Sequence, residues 1–195
     1  MNNKKFELTD ECKKIGKIKL FRIKALIDFR DVKSGDLGGF IEKEENLSHD
    51  GDAWISGNAQ VYGDAQVYGD AQVYGNAWVC GDARIYGNAW VHDNARIYGH
   101  AQVYDNAWVC GNAEVCGNAR VCGNADYATV KGFGTVFRNT TFFRCKDKRI
   151  CVSCGCFYGT INQFREQVKR TRKGKIAKEY LMIADLMEMH FGKEV

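Results

Sequence analysis

From Ile55 to Asp126 the chain repeats itself twelve times at a period of six, each unit close to aliphatic-x-Gly-Asn/Asp-Ala-x. Val61-Tyr62-Gly63-Asp64-Ala65-Gln66 is one such unit, and Val67, Val73, Val79, Ile85 and Val91 open the next ones. Six residues are too many for one strand alternation and too few for a helical hairpin, so each unit is one short strand plus one turn. Alternation places the Ala and the following aliphatic residue on one side of the strand, as in Ala59-Gln60-Val61, with the residue between them facing solvent. The Gly and Asn/Asp pair supplies the turn because these residues tolerate positive φ. Asp93 and Asp105 stand where Gly is expected. Stacked strands leave an open edge at each end, so both ends call for caps.

These units resemble the hexapeptide-repeat superfamily. The resemblance implies a left-handed parallel β-helix with three faces and eighteen residues per coil, here about four coils, roughly 19 Å tall at ~4.8 Å per coil. On that frame Asn58, Asn76, Asn94 and Asn112 share one corner and should form an amide ladder. The fold expected is mainly β, with an N-terminal β cap over 1–49, the helix over 50–126, a β-hairpin cap over 127–158 and a helical hairpin over 159–195.

The flanks carry their own signals. Ile18 to Leu26 alternates as a strand, and Gly35, Gly38 and Gly39 mark turns ahead of Phe40 and Ile41. Phe142 to Cys145 and Ile150 to Cys154 flank a charged turn at 146–149, which reads as a hairpin. Thr160-Ile161-Asn162-Gln163 has the form of a capping box and predicts a helix over about 161–172. Gly174 breaks it, and Ile176, Tyr180, Ala184, Met187 and Phe191 set the inner side of a second helix over about 176–191.

Charge is uneven. Lys and Arg against Asp and Glu number 11 to 9 in residues 1–49, 3 to 9 in 50–126 and 14 to 6 in 127–195. No run is apolar enough to span a membrane and no signal-peptide core opens the chain, so a cytoplasmic location is expected. The nine cysteines read as reduced, unpaired thiols.

Asp36-Leu37-Gly38-Gly39-Phe40-Ile41 before the repeats, Gly155-Cys156-Phe157-Tyr158-Gly159-Thr160 after them, and Lys178-Glu179-Tyr180-Leu181 with Phe191-Gly192 in the tail are similar to the layout of hexapeptide-repeat proteins encoded by phages and prophages. That resemblance implies a mobile-element origin, and with it a bacterial host cell, and carries no assigned chemistry.

Folded at eighteen, the sequence aligns Trp54, Gln72, Trp90 and Trp108 on one outward column, flanked by Ser56, Tyr74, His92 and Cys110. Trp54, Tyr74, Trp90, His92 and Trp108 form the expected interaction face, because aligned exposed indoles make an apolar patch. A second face stacks Tyr68, Tyr86 and Tyr104 above Cys122, beside Arg84, Gln102 and Arg120. A third has Trp78 near Tyr62 and Tyr98. Arg165, Lys169, Arg170, Arg172, Lys173 and Lys175 make a basic anchor for an acidic surface or for sequence-independent contact with nucleic acid. Cys145, Cys151, Cys154 and Cys156 could hold zinc, although their spacing fits small buried hydrophobes better.

The expectation is a non-enzymatic, phage-type interaction protein without cofactor, a dimer or trimer. It would bind and block a host protein or ribonucleoprotein, such as a CRISPR nuclease complex. The alternatives are an acyltransferase of the hexapeptide type, with His92 as its base, and a structural component of a virion; His100 reads as a solvated turn residue.

Overall fold

The computed structural model describes residues 4–192, and in it the chain opens with an antiparallel meander of β1 (Phe6–Ile15), β2 (Ile18–Ala25) and β3 (Leu37–Ile41). β2 was legible from its alternation; β1, rich in Glu, Asp and Lys, was not. Gly35 does turn the chain, at φ +97°, but Gly38 and Gly39 lie within β3. There they permit close approach: a Cβ on Gly38 would come 2.7 Å from the Ile55 carbonyl, and one on Gly39 2.8 Å from that of Ala59.

Twelve two-residue strands follow, one per hexad, from β4 (Trp54–Ile55) to β15 (Arg120–Val121). Each from β4 to β12 pairs in parallel with the strand one coil further on, so Trp54 meets Gln72, Gln72 meets Trp90 and Trp90 meets Trp108. Three sheets result, two of four strands and one of seven that takes in the meander. β3 lies on Gln60–Val61 in parallel and Leu47 bridges to Val67, which extends the repeat coils to a solenoid of about five turns. From Ala53 to Val121 the Ala and aliphatic positions fill the bore with no solvent exposure, or 1% at Val67, whereas Ala125 of the last hexad is exposed in a 3-10 turn that leaves the coil. Asp93 and Asp105 adopt φ of 59° and 54° in the glycine role, and the Asp93 carboxylate accepts from the Gly111 N–H below it at 3.0 Å.

The solenoid has a chemical polarity that sets its caps. Around each strand more backbone N–H groups donate forward to the next coil than back, as Trp90 N does to Ala107 O at 2.9 Å and His92 N to Val109 O at 3.0 Å, while the parallel pairing of Trp90–Val91 with Trp108–Val109 returns a bond the other way. Carbonyls therefore predominate among the groups left over at the N-terminal end and N–H groups at the C-terminal end. The N-terminal cap supplies mainly donors: the buried Lys5 ammonium bonds Gly51 O (3.1 Å) and Ala53 O (2.9 Å), and the Asn46 amide bonds Gly63 O and Ala65 O, while Glu42 Oε2 accepts from Gly63 N. The C-terminal cap supplies acceptors, Asn124 Oδ1 for Trp108 N, Thr141 Oγ1 for Glu114 N and the Asp126 carboxylate for Cys122 N and Gly123 N, together with two donors, Asn139 Nδ2 to Asn112 O and Lys146 N to Asn118 O.

Beyond the repeat lies a four-stranded antiparallel sheet, β16 (Tyr127–Phe133), β17 (Arg138–Arg144), β18 (Ile150–Cys154) and β19 (Phe157–Thr160) in that order. The expected hairpin is its centre. Alternation splits the neighbours Phe142 and Phe143: Phe143 joins the solenoid core and Phe142 the core beneath the helices. Those helices are α1 (Ile161–Thr171) and α2 (Gly174–Phe191). The capping box is formed, Gln163 N donating to Thr160 Oγ1 (3.3 Å) and Thr160 N to Gln163 Oε1 (2.8 Å). Gly174, at φ +60°, starts α2 two residues before the expected position.

One reading is overturned. Cys145 and Cys151 are joined as a disulfide, so the nine cysteines are not all free thiols. The two sit across the β17–β18 turn, where Phe143 pairs with Cys151 and Cys145 N reaches Arg149 O. The bridge spans six residues across one turn, a closeness that only the β17–β18 pairing creates.

Candidate functional site

The tryptophan column is real, but its members are not equivalent. Trp54 is 4% exposed and meets Phe29 edge to face at 5.4 Å, whereas Trp108 is 48% exposed. Trp54 therefore anchors the N-terminal meander and cannot meet a partner, which corrects its place in the interaction face. Trp90, half-buried, lies 5.3 Å from Trp108 between ring centroids and 5.9 Å from Tyr74. A hollow of about 740 Å³ opens over Ser56, Gln72, Tyr74 and Trp90, with Arg30 and Asp31 at its N-terminal lip.

His92 belongs to the same cluster. Its ring stacks on Tyr74 at 4.7 Å and meets Trp108 at 6.0 Å, while Nδ1 lies 3.2 Å from the Asp93 carboxylate. That hydrogen bond, with the Gly111 N–H second, holds the Asp93 carboxyl below the usual carboxylate range. Stacking accounts for the ring's position. His100 stands at an exposed corner with its Nδ1 3.2 Å from Asp82.

On the second face Tyr68, Tyr86 and Tyr104 stack with nearly parallel ring planes at 4.9 and 5.1 Å, the spacing the coils impose. Arg84 and Arg120 are exposed beside the ladder, and Gln102 is half-buried. Cys122 ends it with its thiol 2.9 Å from Asp126, and that bond pushes the thiol pKa up. On the third face, burial raises Tyr62 to about 12 and also raises the Cys80 and Cys116 thiols. These cysteines alternate with Tyr62 and Tyr98 down one column, as protonated packing groups. The asparagine ladder forms from Asn58 to Asn76 to Asn94, each step 3.4 Å, and a second step joins Asn88 to Asn106.

The basic anchor divides. Arg165, with its side chain 17% exposed, bonds Asp185 (2.7 Å) and Glu188 (2.8 Å) and clamps α1 to α2, so it leaves the anchor. Lys169 and Lys175 pair within their own helices with Glu166 and Glu179, and Arg170 bonds Gln167. Arg172 and Lys173 have no carboxylate partner among the described residues. Of the four C-terminal cysteines, Cys145 and Cys151 are bonded to each other, Cys154 accepts from Thr140, and Cys156 is exposed. Among the described residues no three His, Cys, Asp or Glu side chains cluster as a metal site.

Two features escaped the sequence reading. Met182, Leu186 and Met189 lie exposed on α2, at 69%, 50% and 74%. Their three- and four-residue spacing was visible, but the inner stripe of the same helix masked it. The second is a groove formed where the third face meets β16 and β17, which only the fold brings together.

A family model described as the YdcK beta solenoid repeat matches residues 59–73, 77–93 and 95–111, all within the coils. No curated protein matches the chain. The chain is thus a repeat β-helix protein, and the match is to a repeat that brings no catalytic assignment with it. No helix among the described residues is long and apolar enough to cross a membrane.

Proposed function

We propose that this chain is a non-catalytic binding protein that packs against copies of itself, as a dimer or trimer, through the face of Tyr74, Trp90, His92 and Trp108. The carrying observation is the contrast along one column: Trp54 is covered by the chain's own meander and Trp108 is left half open. Interfaces enrich Trp and Tyr, and an indole in a well-packed pocket is the usual energetic centre of one. The assembly then presents the tyrosine ladder with Arg84 and Arg120 to a host macromolecule. The resemblance to phage-encoded repeat proteins directs the search for that partner to anti-phage complexes such as a CRISPR nuclease.

Isolation of a tagged form from bacteria carrying such a system, with the bound proteins identified by mass spectrometry, tests the second step. Near-stoichiometric recovery of a defence complex, lost in Arg84→Glu with Arg120→Glu, is the expected result. Recovery of the protein alone, with no effect on phage plating, would remove the host partner.

A further inference from the structure

The groove beside the third face has a volume of about 330 Å³ and is lined by Asn94, Arg96, Asn112, Lys131, Phe137 and Arg138. Its chemistry is one-sided. Lys131 and Arg138 are exposed and have no carboxylate partner among the described residues. Glu114, the one acidic group in the lining, is already engaged: Oε1 lies 3.8 Å from Arg96 and Oε2 accepts from Ser153 at 3.3 Å. The asparagine ladder stops at Asn94, so the side-chain amides of Asn94 and Asn112 add uncommitted donors. Cations and amide donors with their acceptors taken elsewhere call for an anionic ligand.

Phe137 narrows the class. It stands at the β16–β17 turn, 63% exposed, at a φ of 51° that few residues other than glycine adopt. A ring held open beside two free cations is a stacking platform for a base. The groove does not end there. Arg138 is shared with a second hollow of about 350 Å³ that leads past Phe157 and Gln167 to Arg172, the unpaired part of the basic turn.

We propose that this track, from Lys131 across Arg138 to Arg172, binds single-stranded nucleic acid, with phosphates on these three cations and a base on Phe137. The groove is too small to admit a duplex, and the contacts invoked are phosphate charge and ring stacking, which every base can satisfy, so recognition is independent of sequence. The inference uses none of the aromatic-face residues and stands or falls apart from the self-assembly above.

Fluorescence anisotropy with labelled twelve-residue oligo-dT and oligo-U tests it, at 50 and 200 mM salt. With about three phosphates neutralised, log K against log salt should fall with a slope near −2, roughly a twenty-fold loss between the two salts. Lys131→Gln with Arg138→Gln should weaken binding at least ten-fold and flatten the slope to about −0.7, with melting temperature unchanged because both side chains are exposed. In Phe137→Trp, the new indole should be quenched by the oligonucleotide. Binding that survives the double substitution overturns the proposal. So does equal affinity for a blunt duplex, for a mononucleotide or for a poly-glutamate peptide, each of which would reduce the groove to a general anion site.

Discussion

At the scale of single residues, Lys5 shows how the solenoid closes its N-terminal end. Its ammonium replaces the backbone donors of a missing coil, and burial lowers its pKa from 10.5 to about 8, partly offset by Asp52, Asp50 and Asp70. Between about pH 8 and 10.5 the unfolded chain holds a proton on Lys5 that the folded chain has lost, so this group's contribution to stability rises with pH there. Urea unfolding at pH 7.5 and 9.5 should show wild type gaining about 2 kcal/mol relative to Lys5→Met. An equal response in both proteins would mean that Lys5 does not titrate in this window. At pH 7.5 itself the substitution strands the Gly51 and Ala53 carbonyls, which should cost about 1–3 kcal/mol.

At the scale of elements, the two caps lean to opposite chemistry because the coils leave more carbonyls unpaired at one end and more N–H groups at the other. Asp126 serves two backbone N–H groups and the Cys122 thiol, and pairs with Arg144 at 3.2 Å. Asp126→Ala should therefore loosen the last coil by about 2–4 kcal/mol and accelerate hydrogen exchange at Cys122 and Gly123 more than at Val61. Unchanged exchange at the last coil would show that β17 alone holds it. The disulfide makes a separate prediction: peptide mapping without reductant should find Cys145 linked to Cys151 and seven free thiols. The coils were legible because each hexad states its inward residues and its turn. The caps were not, because what selects Lys5, Asn46, Asn124 and Thr141 is an orphan group on a distant segment, which no local pattern records. The capping box at Thr160 could be read from sequence because both its partners lie within one turn.

At the scale of the whole molecule, an acidic solenoid is closed by a meander at one end and by a basic sheet with two helices at the other. Eighteen-residue spacing aligned the tryptophans correctly, yet could not show that Phe29 covers Trp54, since that contact depends on how the meander folds back. Likewise, Arg165 belongs to an apparent basic run until α2 brings Asp185 and Glu188 to it. What remains open is a single end of the column, Trp108, with Trp90, Tyr74 and His92 half-buried around it. The measurement that tests the account most directly is the mass in solution, by light scattering on a sizing column, of wild type and of Trp90→Lys with Trp108→Lys, whose fold is confirmed by circular dichroism. The account predicts a dimer or trimer of the 22.0 kDa chain for wild type and a monomer for the double variant. A monomeric wild type, or an oligomer that both substitutions leave intact, would contradict it.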